Sequence, residues 1–176
     1  NIPVKYIHRL DYETSGLILF CKCALVQPLL DYQLSIKTIH RQYLAIVNKP
    51  ILDFKEHTIH KNIARDRHHQ QRMRVAFKGK EAITTYQCLA SKNNLSLIQC
   101  TLHTGRKHQI RVHMSSIGYP LLGDHLYHQK STLINRQALH AYCLKFIHPI
   151  TNEKITLKCY PPHDMLKLIH LIDPDF

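Results

Sequence analysis

The sequence lacks several features that would place it in a common class of protein. It contains no apolar run approaching the roughly 18 residues of a membrane-spanning helix and no strongly amphipathic basic helix, so we predict no membrane role. No basic stretch followed by an apolar one stands at its start, which favours a cytoplasmic location. No repeat, low-complexity tract or glycine- and serine-rich linker divides the 176 residues, so we expect one domain.

The sequence also lacks the residue spacing that is typical of a structural metal site. Structural zinc favours pairs of ligands separated by about two to four residues, whereas Cys21 and Cys23 are separated by one residue and His68 and His69 are adjacent. The six cysteines stand in apolar, strand-like surroundings, where reduced cysteine behaves as a small hydrophobic residue. We therefore predict no metal site, and a zinc-dependent base-modifying enzyme has no ligand set here.

Acidic residues are scarce, because 12 Asp and Glu stand against 24 Lys and Arg, for a formal net charge of +12. This balance indicates nucleic acid as the leading partner. Half of the excess lies in residues 55–80, which contain eight Lys and Arg, two acids and a local net charge of +6. We predict that this basic segment contacts phosphates; the alternative interpretation is a solvated hairpin.

Hydrophobic periodicity predicts an α+β fold with a mainly antiparallel mixed sheet and a few flanking helices. Helices are expected at residues 24–38, 107–117 and 164–171. Strands are expected where apolar or alternating segments are bounded by turn-prone residues: 16–23, 40–48, 57–63, 72–77, 82–90, 95–102, 139–146 and 154–159.

Glycine is also scarce, with five in the chain, and four of these stand in compact polar or turn-like clusters: Gly16, Gly105, Gly118 and Gly123. The first cluster, residues 8–16, places Arg9 and Asp11 two residues apart before a predicted strand. On a strand this spacing puts both side chains on one face; in a turn, Thr14 or Ser15 could bond the carboxylate or the local backbone. A capped turn without a catalytic role is the alternative.

A second cluster, residues 104–113, has five basic or imidazole side chains and no acid. Such a composition before a helix is typical of a turn that binds phosphate. Arg106 and Lys107 near a helix start oppose the helix dipole, and an anionic neighbour would rationalise them. The alternative is a solvated charged turn.

Together these clusters resemble the motifs of the RluA-type pseudouridine synthases, a family that modifies uridines in ribosomal and transfer RNA. The matching segments occur in order along nearly the whole chain: residues 8–16, 41–45, 79–84, 104–113, 118–124, 139–141 and 148–149. The resemblance implies the pseudouridine synthase catalytic fold over residues 1–176. It also implies conversion of uridine to pseudouridine with neither a metal nor an organic cofactor.

The resemblance further assigns roles to individual residues. Asp11 matches the catalytic carboxylate, and Tyr43 matches the tyrosine that stacks on the target uracil and is a candidate base for its C5 proton. Arg111 resembles the residue that pairs with the aspartate, although Arg106 in the same motif stays open as the partner. Arg9 resembles the residue that fills the gap left by the flipped nucleotide.

RNA is the implied partner, with large-subunit ribosomal RNA preferred and transfer RNA possible, and we expect a monomer. The predicted RNA-binding residues are Arg9, Arg106, Lys107, His108, Lys61, Arg65, Arg67 and Arg72. The family usually carries a strand with an Asn-Lys-Pro and glycine motif before the first segment, and often an S4 domain. Neither is in this sequence, so we expect an N-terminally incomplete catalytic domain. The alternative function is a catalytically inactive relative that helps RNA to fold.

Overall fold

Residues 4–176 are described by the computed structural model, which contains three helices and eleven strands within that range. The elements in chain order are β1 (Lys5–Tyr6), β2 (Ser15–Gly16), β3 (Phe20–Cys21), α1 (Gln27–Ser35), β4 (His40–Val47), β5 (Glu56–His60), β6 (Ile63–Arg65), β7 (Met73–Val75), β8 (Ile83–Lys92), β9 (Leu95–Leu102), α2 (Gln109–Ser116), β10 (Leu139–Ile147), β11 (Lys154–Lys158) and α3 (His163–Ile172).

A seven-stranded sheet organises these elements. Six strands follow the order β11-β10-β4-β9-β8-β5, and every neighbouring pair among them is antiparallel. β2 adds the one parallel pairing described, against β10, while β1–β3 and β6–β7 form two small antiparallel sheets. The predicted α+β fold with a mainly antiparallel mixed sheet is therefore confirmed.

The central strand β4 is buried on both faces, because a helix covers each side of the sheet. Tyr43, Ala45 and Val47 point into a core that includes α2, whereas Leu44 and Ile46 point into a second core beneath α3. A strand covered on both faces needs apolar residues at successive positions. This requirement explains why residues 40–48 were recognisable as a strand from sequence.

Most predicted elements are found within a few residues of their expected bounds, but two predicted strands are each split in two. Residues 16–23 contain the end of β2 and all of β3, and residues 57–63 contain most of β5 and the start of β6. The physical cause of the first split lies at Gly16, which has φ +110°; a side chain there would place its Cβ 2.3 Å from the Ala141 carbonyl oxygen. The backbone passes this close to β10 and then leaves the main sheet to form β3.

The three helices differ in amphipathicity and burial. α3 buries Met165, Leu168, Ile169 and Ile172, whereas α1 fully buries only Leu30. Across residues 4–176, none of the helices combines the length and the apolar character required to traverse a bilayer.

Candidate active site

A cleft of about 430 Å³ opens where four separate parts of the chain meet. They are the loop before β2, the end of α1, the strand β4 and the segment from the end of β9 to the start of α2. The side chains predicted to act there and found in its lining are Arg9, Asp11, Tyr43, Arg106 and Lys107. The fold thus brings together motifs that are up to 98 residues apart in sequence.

Asp11 lies in a turn rather than on a strand. Its backbone carbonyl accepts a hydrogen bond from the Thr14 amide at 3.0 Å, and its side chain is 14% exposed. The nearby hydroxyls bond other groups: Thr14 Oγ1 accepts from Gln137 Nε2 at 3.2 Å, and Ser15 Oγ pairs with His140 Nδ1 at 2.9 Å. Of the two geometries considered for this cluster, the structure has the turn.

The loop that carries Asp11 is fastened to the segment leading into β10. Arg136 donates to the Glu13 carbonyl at 3.2 Å, and Gln137 donates to the Tyr12 carbonyl. β2 then pairs with His140 and Ala141. The sequence did not indicate Arg136 or Gln137, because nothing local distinguishes a side chain that caps a distant loop.

Arg111 lies beside Asp11 and is held there by Asp124. Its Nε and Nη2 donate to the two Asp124 carboxylate oxygens at 2.7 and 2.8 Å, which leaves Nη1 3.7 Å from Asp11 Oδ2. Arg111 is 5% exposed and Asp124 is fully buried. Burial alone lowers the pKa of Arg111. The hydrogen bonds to Asp124 and the charge of Asp124, with a smaller effect from Asp11, outweigh burial and raise the pKa above its ordinary value. The guanidinium therefore stays charged.

The structure also separates the two arginines that were open as the partner of Asp11. Arg106 is exposed, and its Nε donates to the Glu81 carbonyl at 2.8 Å, whereas Arg111 is the one found beside the carboxylate. Asp124 belongs to a segment that carried the family resemblance. No role was assigned to it, because its ion pair becomes visible only in three dimensions.

Tyr127 also contacts the buried Arg111. Its ring lies 5.1 Å from the Arg111 guanidinium carbon and 5.5 Å from that of Arg72. Its hydroxyl accepts from the Met73 amide at 2.8 Å and lies 2.7 Å from His108 Nδ1. Cation–π contact and hydrogen bonding together fix the ring next to Arg111.

His108 was predicted from the sequence to be one of the RNA-binding residues. The structure buries its ring against Tyr127 at the N-cap of α2, where the backbone has a positive φ of 56°. Burial lowers the pKa of His108 to about 4, so the ring is neutral at pH 7 and can accept the Tyr127 hydroxyl proton. In the structure its partner is therefore Tyr127, and RNA binding by His108 stays a prediction.

Tyr43 and Arg41 stand two residues apart on β4, and both line the cleft. Burial raises the pKa of Tyr43 to about 12, with the nearby Asp11 adding to the rise, so its hydroxyl keeps its proton at neutral pH. Burial lowers the pKa of Arg41, whose guanidinium reaches the Thr104 carbonyl at 3.4 Å. No carboxylate of residues 4–176 lies within ion-pairing distance of Arg41, so its charge is open to an anion from outside.

Gln109 shapes the turn at the mouth of the cleft. Its side-chain oxygen accepts from the Thr104 hydroxyl at 2.8 Å and from the Arg106 amide at 2.9 Å. Its amide donates to the Ile83 carbonyl and the Thr84 hydroxyl, each at 2.9 Å. With the turn fixed in this way, the exposed side chains of Arg106 and Lys107 stand at the opening.

The basic segment lies apart from the cleft lining. It forms β5 and the β6–β7 hairpin, in which Arg65 and Arg67 are exposed and Lys61 and Arg72 are half-buried. Apolar side chains of this hairpin pack against Val112 of α2, the helix that carries Arg111. Among the described residues there is no cluster of three or more side chains that could hold a metal ion.

The cleft thus combines a carboxylate beside a buried arginine, a tyrosine ring and several cations. The family model described as RNA pseudouridylate synthase matches residues 1–116, and the chain belongs to this family. The chain is 48% identical over 167 residues to the "Uncharacterized RNA pseudouridine synthase YhcT" of Bacillus subtilis (strain 168). The aligned region covers 94% of this chain and 55% of that protein.

Other comparisons agree with this membership. The chain is 38% identical over 178 residues to "Ribosomal large subunit pseudouridine synthase D" of Zymomonas mobilis, covering 94% of this chain and 55% of that protein. The solved structure "Human RNA Pseudouridylate Synthase Domain Containing 1" matches with a TM-score of 0.76 and 25% identity, covering 91% of this chain and 70% of that one. The chain spans about half the length of the curated relatives it matches.

Proposed function

We propose that the chain converts uridine to pseudouridine in structured RNA, with large-subunit ribosomal RNA preferred and transfer RNA second. The observation that carries this proposal is the Asp11 carboxylate, which lies beside the Arg111 guanidinium in a cleft of a pseudouridylate synthase family member. The ribosomal preference is supported by relatives named as ribosomal large subunit pseudouridine synthases. We further predict that the protein is cytoplasmic and monomeric.

The reaction breaks the bond between N1 and C1′, rotates the uracil and rejoins it to C1′ through C5. A carboxylate serves either by adding to C1′ or by abstracting the 2′ proton to give a glycal, and Asp11 is suited to each route. Arg111 supports either route by placing a positive charge 3.7 Å from that carboxylate. Because the same uracil leaves and returns, the reaction needs no external group donor.

The target uridine must leave the RNA stack before this chemistry can start. In the proposed complex Tyr43 supplies an aromatic face for the uracil, and the exposed Arg9 fills the gap that it leaves. Arg41, Arg106 and Lys107 present positive charge to the flanking phosphates.

Mapping pseudouridine is the direct test of this function. Ribosomal and transfer RNA from cells that lack the gene should regain pseudouridine at specific positions when incubated with the full-length protein. RNA that is bound but never modified would support the alternative, a catalytically inactive relative that assists RNA folding.

Replacing Tyr43 with phenylalanine should separate its two proposed roles. The ring that stacks is kept, so RNA binding and glycosidic cleavage should persist, whereas tritium release from C5-labelled uridine should slow by about 10²-fold if the hydroxyl removes that proton. Since the pKa of Tyr43 is about 12, its ionised fraction rises about tenfold per pH unit below that value. Single-turnover release by the parent should thus accelerate from about pH 6 to 9, and that of Tyr43→Phe should not.

The matched control for this experiment is Tyr12→Phe, which makes the same change at an exposed tyrosine next to Asp11. It should release tritium as the parent does. Parental release by Tyr43→Phe would remove the hydroxyl from the proton step and leave Tyr43 only a stacking surface.

Removing charge from the basic segment should weaken RNA binding without changing the chemical step. Alanine at Lys61, Arg65 and Arg67 should reduce the slope of log affinity against log salt concentration by about 2. Each lost phosphate contact lowers the magnitude of that slope by roughly 0.7–0.9. Binding titrations at several salt concentrations measure this. The control replaces three exposed lysines of β10, β11 and α3 by alanine: Lys145, Lys154 and Lys167. Equal slopes for the two triple variants would identify the basic segment as an ordinary solvated surface.

A further inference from the structure

Phe77 stands in the turn that follows β7, and its side chain is 97% exposed. A phenylalanine left almost wholly in water forgoes the stabilisation that burial gives an aromatic ring. Nothing in residues 4–176 covers it, although Met73 and Val75 of the same hairpin pack inward against α2. The core therefore gives no reason for an aromatic residue at this position.

The backbone that presents Phe77 is tightly held. The Gly79 amide donates to the Ala76 carbonyl at 2.9 Å, and Asn62 donates to the Phe77 carbonyl at 3.1 Å. Gly79 itself packs so closely on Ile63 that a Cβ there would lie 2.6 Å from the Ile63 carbonyl carbon. The ring is thus displayed from a fixed turn, which lowers the entropy lost when a ligand stacks on it.

A groove adjoins the ring, and its surroundings are basic. About 250 Å³ in volume, it is lined by His60, Lys61, Asn62, Val75, Ala76 and Phe77. Lys78 and Lys80 follow the ring directly, and no acidic residue occurs between Asp66 and Glu81. An apolar ring next to several cations matches a ligand that has both a flat apolar surface and negative charge.

We propose that Phe77 and this groove form a second nucleobase-binding site, which stacks an unpaired base of the substrate RNA at a distance from the uridine bound in the cleft. An unpaired base offers a π-face to the ring, and its phosphates meet the flanking lysines. Glu81, which follows Lys80 in sequence, accepts a hydrogen bond at its carbonyl from Arg106, a residue of the cleft lining. The inference rests on the proposed function in that RNA is the ligand.

Tryptophan at this position provides a direct probe, because the chain contains no tryptophan of its own. The RNA used is an unlabelled stem-loop whose loop has seven nucleotides and contains uridine. When this RNA binds, the tryptophan fluorescence of Phe77→Trp should be quenched, because stacking brings the indole ring into contact with a base. Leu25→Trp places the same reporter at a residue that is 88% exposed and far from any basic cluster in sequence, and its emission should stay unchanged.

Affinity provides the second measurement, made with the same stem-loop labelled with fluorescein. Phe77→Ala should bind it at least about fivefold more weakly than the parent, because loss of one stacked base costs that much or more. Phe77→Leu, which keeps apolar bulk without an aromatic face, should be equally weak, and Phe77→Trp should bind as the parent does. For a fully paired duplex of the same stem, all four proteins should have equal affinity.

The outcomes separate this inference from the function on which it rests. If the parent binds neither RNA, the proposed function and the second site both fail. If the parent binds the stem-loop and Phe77→Ala or Phe77→Leu binds it equally well, the second site alone fails. Quenching of Phe77→Trp that follows protein concentration in the absence of RNA would assign the ring to a contact between copies of the chain and would overturn the proposal.

Discussion

An Asp11→Asn substitution should abolish pseudouridine formation while leaving the fold and RNA binding close to those of the parent. The amide keeps the size of the side chain, but it can neither add to C1′ nor abstract the 2′ proton, and it carries no negative charge. Arg111 retains its two bonds to Asp124, so the change leaves no buried cation without a partner. We expect single-turnover rates to fall by at least about 10³-fold, equivalent to about 4 kcal/mol in the barrier.

The comparison for this variant is Asp31→Asn, an identical change on the exposed surface of α1, which should leave the rate unaltered. RNA affinity is measured in parallel to show that the substrate still binds. Residual turnover by Asp11→Asn within about tenfold of the parent, some 1.4 kcal/mol, would mean that Asp11 is not the central catalytic group.

An Asp124→Asn substitution should damage both stability and catalysis, although Asp124 itself does not line the cleft. It is fully buried and holds a buried arginine through two bonds, and removal of one member of such a pair typically destabilises a protein by about 3–5 kcal/mol. The loss should appear as a lower midpoint in urea. Any fraction that stays folded should react slowly, because Arg111 is no longer oriented towards Asp11.

A double-mutant cycle identifies the cause of that loss. If the ion pair is responsible, Arg111→Met combined with Asp124→Asn should be more stable than the sum of the two single effects predicts. Additive losses would show that Asp124 acts on stability without Arg111. Asp164→Asn is the matched control, because Asp164 also pairs with an arginine through two bonds but is 43% exposed, and such pairs contribute about 0–1 kcal/mol.

The sequence predicts the elements of this fold better than their connections. β4, β9 and β10 are long and largely buried, and their apolar patterns identify them within about a residue. β2 and β3 are two residues each, and what divides them is contact between Gly16 and a strand 125 residues further along the chain. No local pattern contains that information.

For the site, too, the sequence identifies some residues and leaves others unrecognised. The resemblance to the RluA-type family identified Asp11, Tyr43 and Arg111 as candidate site residues. In the structure, Asp11 and Tyr43 line the cleft, and Arg111 lies beside Asp11. Their roles stay predictions until the variants are measured. The sequence shows the chemical type of His108 but not its burial against Tyr127. Tyr127 was overlooked because a lone tyrosine gives no signal of the contacts that it makes.

The attachment of the Asp11 loop to the segment before β10 has a consequence for the order in which the chain folds. The bonds that fix the loop of Asp11 come from residues more than 120 positions later, which are synthesised after it. Contacts so distant in sequence form late and slowly, because a long stretch of chain must first be ordered to bring them together. During synthesis, the Asp11 loop is thus made before the residues that fix it. A nascent chain that ends at residue 116 would contain the matched family region but lack Arg136 and Gln137, which hold that loop.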